Sequence, residues 1–73
     1  MAKKSTSAVY KIVDVIGTSP TSWEEAARNA VKTASKSLRD LRIAEVVKLD
    51  VKVDNGKVTA FRTRLSLSFK YDS

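Results

Sequence analysis

Between Ile43 and Lys57 apolar and polar residues alternate almost without a break, IAEVVKLDVKVDNGK, and the run ends in a turn signal. Alternation of period two puts one face of a strand on a core and the other toward water. Eleven residues from Ile43 to Val53 span roughly 36 Å as a strand. The one helical segment of the chain, Ser22 to about Leu38, spans roughly 26 Å. About 10 Å of apolar sheet is left over, and exposed apolar surface of that kind marks a protein interface. The chain has 73 residues, so it forms one small domain with a marginal core. Small domains gain stability from disulfides, metals or self-association. The absence of Cys removes disulfides, and the absence of Cys and His together disfavours a structural zinc site. Self-association remains.

The rest of the chain fits around that strand. Met1–Ser7 is polar and small and reads as a disordered basic tail, leaving 8–71 as the single domain. Val9–Ile16 is β-branched and apolar on both faces, interrupted only by Lys11 and Asp14, which predicts a strand covered on both sides. Gly17–Thr21 reads as a turn. Ser22, Glu24 and Glu25 then form a helix start, with Ser22 accepting from the Glu25 amide and the Glu25 carboxylate reaching back to the Ser22 amide. Trp23, Ala26, Ala27, Ala30, Val31, Ala34 and Leu38 recur at helical spacing, a mostly alanine stripe that allows close approach to a sheet.

In the second strand Ile43, Val47, Leu49, Val51 and Val53 share one face with Glu45; in the third, Phe61, Leu65, Leu67 and Phe69 do. A two-residue Asn55-Gly56 turn would set the apolar face of one strand beside the polar face of the other. A three-residue loop, Asp54-Asn55-Gly56, pairs Leu49 with Phe61 and aligns both apolar faces, with Gly56 in a G1 bulge. That register places Lys48 opposite Arg62, a like-charge pair that Asp50 neutralises or an anion bridges. The fold class is α+β, a β-α-β-β protomer whose three strands form an antiparallel sheet of order 1-3-2 around one helix.

Net charge is +6, with the basic residues dispersed. Solubility explains such a dispersion, and nucleic acid is an unlikely partner because Phe61 and Phe69 lie on the apolar face and leave no stacking platform. No apolar run approaches the ~20 residues that span a membrane, and no secretory leader pattern opens the chain, so the expected location is the cytoplasm. Without His or Cys, and without a glycine-rich phosphate loop, nothing points to an enzyme.

The runs Tyr10-Lys11, GTSPTSWEEA from Gly17 to Ala26, Ala44-Glu45-Val46-Val47 and DNGKV from Asp54 to Val58 resemble the dodecin family, over about Val9 to Phe69. The resemblance implies a hollow homododecamer of 23 symmetry that binds flavin, riboflavin or FMN, in stacked pairs and stores it without catalysis. This sequence departs from that pattern. Ile43 stands where the family has its flavin-stacking tryptophan, and Arg62 stands where it has a glutamine that hydrogen-bonds the ring. Ile43, Glu45, Lys48 and Arg62 are therefore the altered ligand positions, and Trp23, expected in the core, is no replacement. Family members lacking the tryptophan form a second group for which calcium is the proposed ligand. Asp14, Glu45 and Asp50 are the candidate calcium ligands by type, with copies of each brought together at a symmetry axis. FMN binding through Arg62 is the alternative.

Overall fold

The computed structural model describes residues 9–70, so the tail expected at 1–7 lies outside the described residues. The element order is β1 (Tyr10–Ser19), α1 (Trp23–Ala34), β2 (Leu41–Asp54) and β3 (Lys57–Lys70). The strands form one antiparallel sheet of order β1-β3-β2, as expected from a helical crossover between strands one and two with strand three between them.

β1 runs three residues further than the sequence suggested, through Gly17 to Ser19. Gly17 reads as a turn signal, but here it serves close packing. A Cβ at this position would meet the Ala26 carbonyl oxygen and lie 2.8 Å from Ala30 Cβ, so glycine lets the helix backbone rest directly on β1. Ser19, only 2% exposed, closes the strand: its Oγ accepts from the amides of Thr21 (3.0 Å) and Ser22 (3.3 Å).

The helix start is half the expected box. Ser22 Oγ accepts from the Glu25 amide at 3.0 Å. The Glu25 carboxylate does not return to Ser22, because two closer donors take it: Ser19 Oγ at 2.5 Å and Thr21 Oγ1 at 2.6 Å. These hydroxyls, Ser19 foremost, hold the Glu25 carboxyl below its ordinary range, with Arg28 adding to the effect. α1 ends at Ala34, not Leu38. Ser35 Oγ donates to the Val31 carbonyl at 2.6 Å, and the next amides turn back to residues three before them, as serines competing for backbone partners do.

Ala26, Ala30, Leu65 and Leu67 make the buried core, with Val15, Ala27, Val31, Ala34, Leu38 and Leu41 around its rim. Trp23 is not a core residue. It is 38% exposed, stacks edge-on against Phe61 with centroids 5.1 Å apart, and donates its Nε1–H to the Asp50 carbonyl at 3.0 Å. In this way the helix start is anchored to β2.

The β2–β3 register differs from the expected one. The turn is the two-residue kind after all: Asp54 pairs with Lys57, with Asn55 at φ 52° and Gly56 at φ 75°. The mismatch of faces is repaired by an extra residue, Thr59, on β3, so that Leu49 pairs with Thr63 and Val51 with Phe61. Two more shifts follow on β2, where Val47 and Arg42 are the extra residues. Each flips the strand, so the helix-side face passes from Val51 and Leu49 to Val46 and Ala44, opposite Leu65 and Leu67.

The strands outrun the helix by more than the sequence indicated. Twelve residues of α1 cover about 18 Å, whereas fourteen of β3 extend about 46 Å. The radius of gyration, 15.5 Å, exceeds the roughly 11 Å of a compact chain this long, and the longest extent is 59 Å. Ile12, Ile16, Ile43, Val46, Val47, Leu49, Val53 and Val58 are each at least half exposed in the single chain. Among the described residues no helix is long and apolar enough to cross a membrane.

Candidate ligand-bearing face of the sheet

The face of the sheet turned away from α1 carries all six candidate positions. Directly opposed residues share a face, so three rows can be followed across the strands. Asp50, Arg62 and Thr18 form one; Lys48, Arg64 and Ile16 the next; Glu45, Ser66 and Asp14 the third. Ile43, Ser68 and Ile12 follow beyond them.

Three of the sequence expectations change here. Arg62 faces Asp50, not Lys48, because Thr59 shifts the register. Its guanidinium donates two bonds to the carboxylate, Nε to Oδ1 at 2.7 Å and an Nη to Oδ2 at 3.0 Å. This fork holds the Asp50 carboxyl below its usual range and raises Arg62, with Lys48 adding a smaller pull on Asp50. Lys48 instead lies opposite Arg64, and the Arg64 guanidinium bends to Asp14 at 3.3 Å. Glu45 and Ile43 do not sit on the apolar face, because the extra Val47 turns both outward. Glu45 stands opposite Ser66, and Ile43 is 60% exposed opposite Ser68.

The face is thus a charge-alternating surface in which Lys48, Arg62 and Arg64 offset Asp14, Glu45 and Asp50. Arg64 and Ser66 take part in it without having been singled out from the sequence. Only the correct register reveals them, and alternation alone does not encode that register. A single chain does not bring the altered ligand positions together. Ile43 and Arg62 are separated by the six residues from Ser68 to Arg62 along β3, about 20 Å. Nor does it gather the candidate calcium ligands. Asp14 and Glu45 flank Ser66 on strands whose backbones are about 9.6 Å apart, while Asp50 is committed to Arg62. Among the described residues no three acidic side chains are grouped to hold a metal.

Stacking a flavin ring needs an aromatic face. Phe61 and Phe69 point to the helix side and Trp23 rests on Phe61, so Tyr10, opposite Lys70 at the far end of β1, is the aromatic residue of this face among those described. The position next to Glu45 that the resemblance assigns to stacking carries the aliphatic Ile43. Ser19 and Glu25 form a hydroxyl–carboxylate pair, but the serine is closed to substrate at 2% exposure and belongs to the helix start.

Residues 9–72 match the dodecin family model. Calcium dodecin of Mycobacterium tuberculosis is 53% identical over 64 residues, which cover 86% of this chain and 89% of that protein. Its crystal structure, described as a calcium-chelating antigen with a novel calcium-binding site, superposes with a TM-score of 0.80 at 48% identity over 89% of this chain and 93% of that one. A dodecin from Streptomyces coelicolor superposes with a TM-score of 0.87 at 33% identity, covering 94% of this chain and 99% of its own. The chain belongs to the dodecin family.

Proposed function

We propose that this dodecin is a non-catalytic binding protein that assembles as a hollow homododecamer of 23 symmetry in the cytoplasm and holds small ions or ligands, with its flavin site lost. Residues 8–71 form the assembling domain and 1–7 a basic tail outside it. The observation that carries the reading is the pairing on the outward face: Ile43 offers no ring to stack on, and Arg62 is turned to Asp50 through Nε and one Nη. A guanidinium has no acceptor and, turned to Asp50 in this way, does not replace the donor–acceptor pair of a glutamine. Self-association is supported by apolar surface on both sides of β1 and along β2 that a single helix leaves uncovered.

Calcium is the ion this face suits. It takes six to eight oxygen ligands, and the Glu45–Ser66–Asp14 row supplies part of a shell that copies around an axis complete. The related calcium dodecin supports this choice. Lys48 and Arg62 set the charge balance of the face instead of contacting the ion.

Titration of added FMN tests the loss of flavin binding. The natural protein leaves FMN fluorescence unquenched at micromolar concentration, and the double change Ile43→Trp with Arg62→Gln restores quenching. Strong quenching by the natural protein would overturn the reading. Calcium-45 equilibrium dialysis tests the ion: binding falls in Glu45→Gln and in Asp14→Asn, and natural protein that retains no calcium removes that part of the proposal.

A further inference from the structure

The three charged rows of the outward sheet face balance one another, so the positive excess lies outside them, and four of its cations follow the acidic first turn on α1 and the turn after it. Counting 100° per residue, the buried arc of the helix centres on Ala30 and Ala34, and the opposite side carries Glu25 in the first turn, then Arg28, Lys32 and, in the turn that continues it, Lys36. Arg39 follows, beside a cleft of about 270 Å³ that Lys11 and Lys70 also line. Arg28 faces Glu25. Lys32, Lys36 and Arg39 are exposed and enter no ion pair among the described residues, whereas Arg42, Lys52, Arg62 and Arg64 each have a carboxylate partner. The helix dipole accounts for cations in the last turn but not for Arg28 near its middle.

We infer that this ridge is a docking surface for the phosphate backbone of a nucleic-acid duplex. From Arg28 to Lys36 it runs about 12 Å along the helix axis, a length over which duplex DNA presents about seven phosphate charges. Past the acidic first turn of Glu24 and Glu25, the exposed side of α1 and the turn after it offers Arg28, Asn29, Lys32, Thr33, Ser35 and Lys36, with no aliphatic or aromatic side chain among them. An anionic membrane would select apolar residues that enter the lipid, and a single strand would select an aromatic on which bases stack. A surface of cations, hydroxyls and an amide, beyond the acidic first turn, fits duplex phosphates, which require neither. The sequence argued against nucleic acid on the lack of a stacking platform; a duplex does not need one.

The test is fluorescence anisotropy of a labelled 20-base-pair DNA duplex across a salt series, with the mass of the protein assembly read in the same samples. The natural protein binds at 50 mM salt, with log K falling against log salt at a slope of about −3.6 for four phosphate contacts. Lys32→Glu with Lys36→Glu weakens binding at least tenfold at 50 mM salt and brings the slope to about −1.8. The milder Lys32→Gln with Lys36→Gln, which leaves the fold undisturbed, weakens it in the same direction, and Lys52→Gln with Lys57→Gln at the hairpin tip leaves it within about twofold. The inference is overturned if the natural protein fails to bind at 50 mM salt, or if the helix variants bind as well as it does. Tighter binding of a single strand than of the duplex, or of phosphatidylserine vesicles in its place, overturns it too. Because assembly mass is read alongside, loss of the shell is seen apart from loss of duplex binding.

Discussion

Replacing Gly17 by alanine tests how closely α1 rests on the sheet. The added methyl would lie 2.8 Å from Ala30 Cβ and 3.0 Å from the Ala26 carbonyl carbon, with the Ala26 oxygen nearer still. Carbon atoms settle at about 3.5–4.0 Å, so the helix must lift from β1 by roughly 1 Å. Two of the obstructing atoms are backbone and cannot rotate away. Lifting the helix loosens Ala26 and Ala30 from Leu65 and Leu67, which are all but inaccessible in the native packing. Overpacking costs about 1–3 kcal/mol, and rigid neighbours place this case at the upper end. Gly17 is not at positive φ, so alanine returns about 0.4–1 kcal/mol through the unfolded chain. The net loss is about 2 kcal/mol, or a Tm lower by about 8–16 °C for a domain of this size. Thermal unfolding at one fixed protein concentration measures it, followed by circular dichroism and by the fluorescence of Trp23, the chain's single tryptophan. Adding Ala30→Gly does not rescue the variant, because the Ala26 carbonyl remains in the way. A Tm within about 3 °C of the natural protein would refute the packing argument.

Other consequences follow from single residues. Glu25 has a depressed pKa in the folded chain, so the unfolded chain binds its proton first as pH falls. The stability it contributes is present above its unfolded pKa of about 4.3 and is lost as pH drops through the folded value. In acid unfolding below about pH 4.3, Glu25→Gln flattens the pH dependence, and a variant with the natural profile would exclude the Ser19–Thr21 bonds as its cause. Asp40 sits at φ 56°, where an L residue is strained, while its carbonyl accepts from the Lys70 amide at 3.1 Å and its pairing with Arg42 at 4.0 Å is exposed. Asp40→Gly keeps the backbone bond and raises stability by about 0.5 kcal/mol, read as a Tm higher by about 2–4 °C; a lower Tm contradicts the strain. Gly56→Ala, at φ 75° in the hairpin turn with open space around it, costs about 1–2 kcal/mol from backbone strain alone, and an unchanged denaturant midpoint would show that the turn adapts.

Much of the architecture was legible in the residues. The alternation of β2 and β3, the alanine stripe and the Ser22 cap led to the element order, the sheet order and the shortfall of helix cover. What could not be read was the register. An Asn-Gly pair favours a two-residue turn while the face pattern demands an even offset, and the sequence contains no mark of how that conflict is resolved. The chain resolves it with an extra residue, Thr59, a device that alternation treats as noise. The extra Val47 is hidden for a related reason: Val46 and Val47 are identical in type, so the strand can flip between them without altering its apolar count. Those two residues decide that Arg62 meets Asp50 and that Glu45 and Ile43 face away from the helix. Gly17 misled in the other direction, since glycine marks turns and close contacts alike and only the position of Ala26 and Ala30 separates the two.

Native mass spectrometry of protein purified without added ligand addresses the central claim most directly, because assembly and flavin loss are read from one spectrum. Twelve chains of 8.0 kDa give about 96 kDa. A dodecamer at that mass, carrying calcium or no small ligand, is the expected result. A monomer or dimer would contradict burial of the exposed faces of β1 and β2 against further copies, and a dodecamer with flavin mass would show that Ile43 and the Arg62–Asp50 pair still build a flavin site.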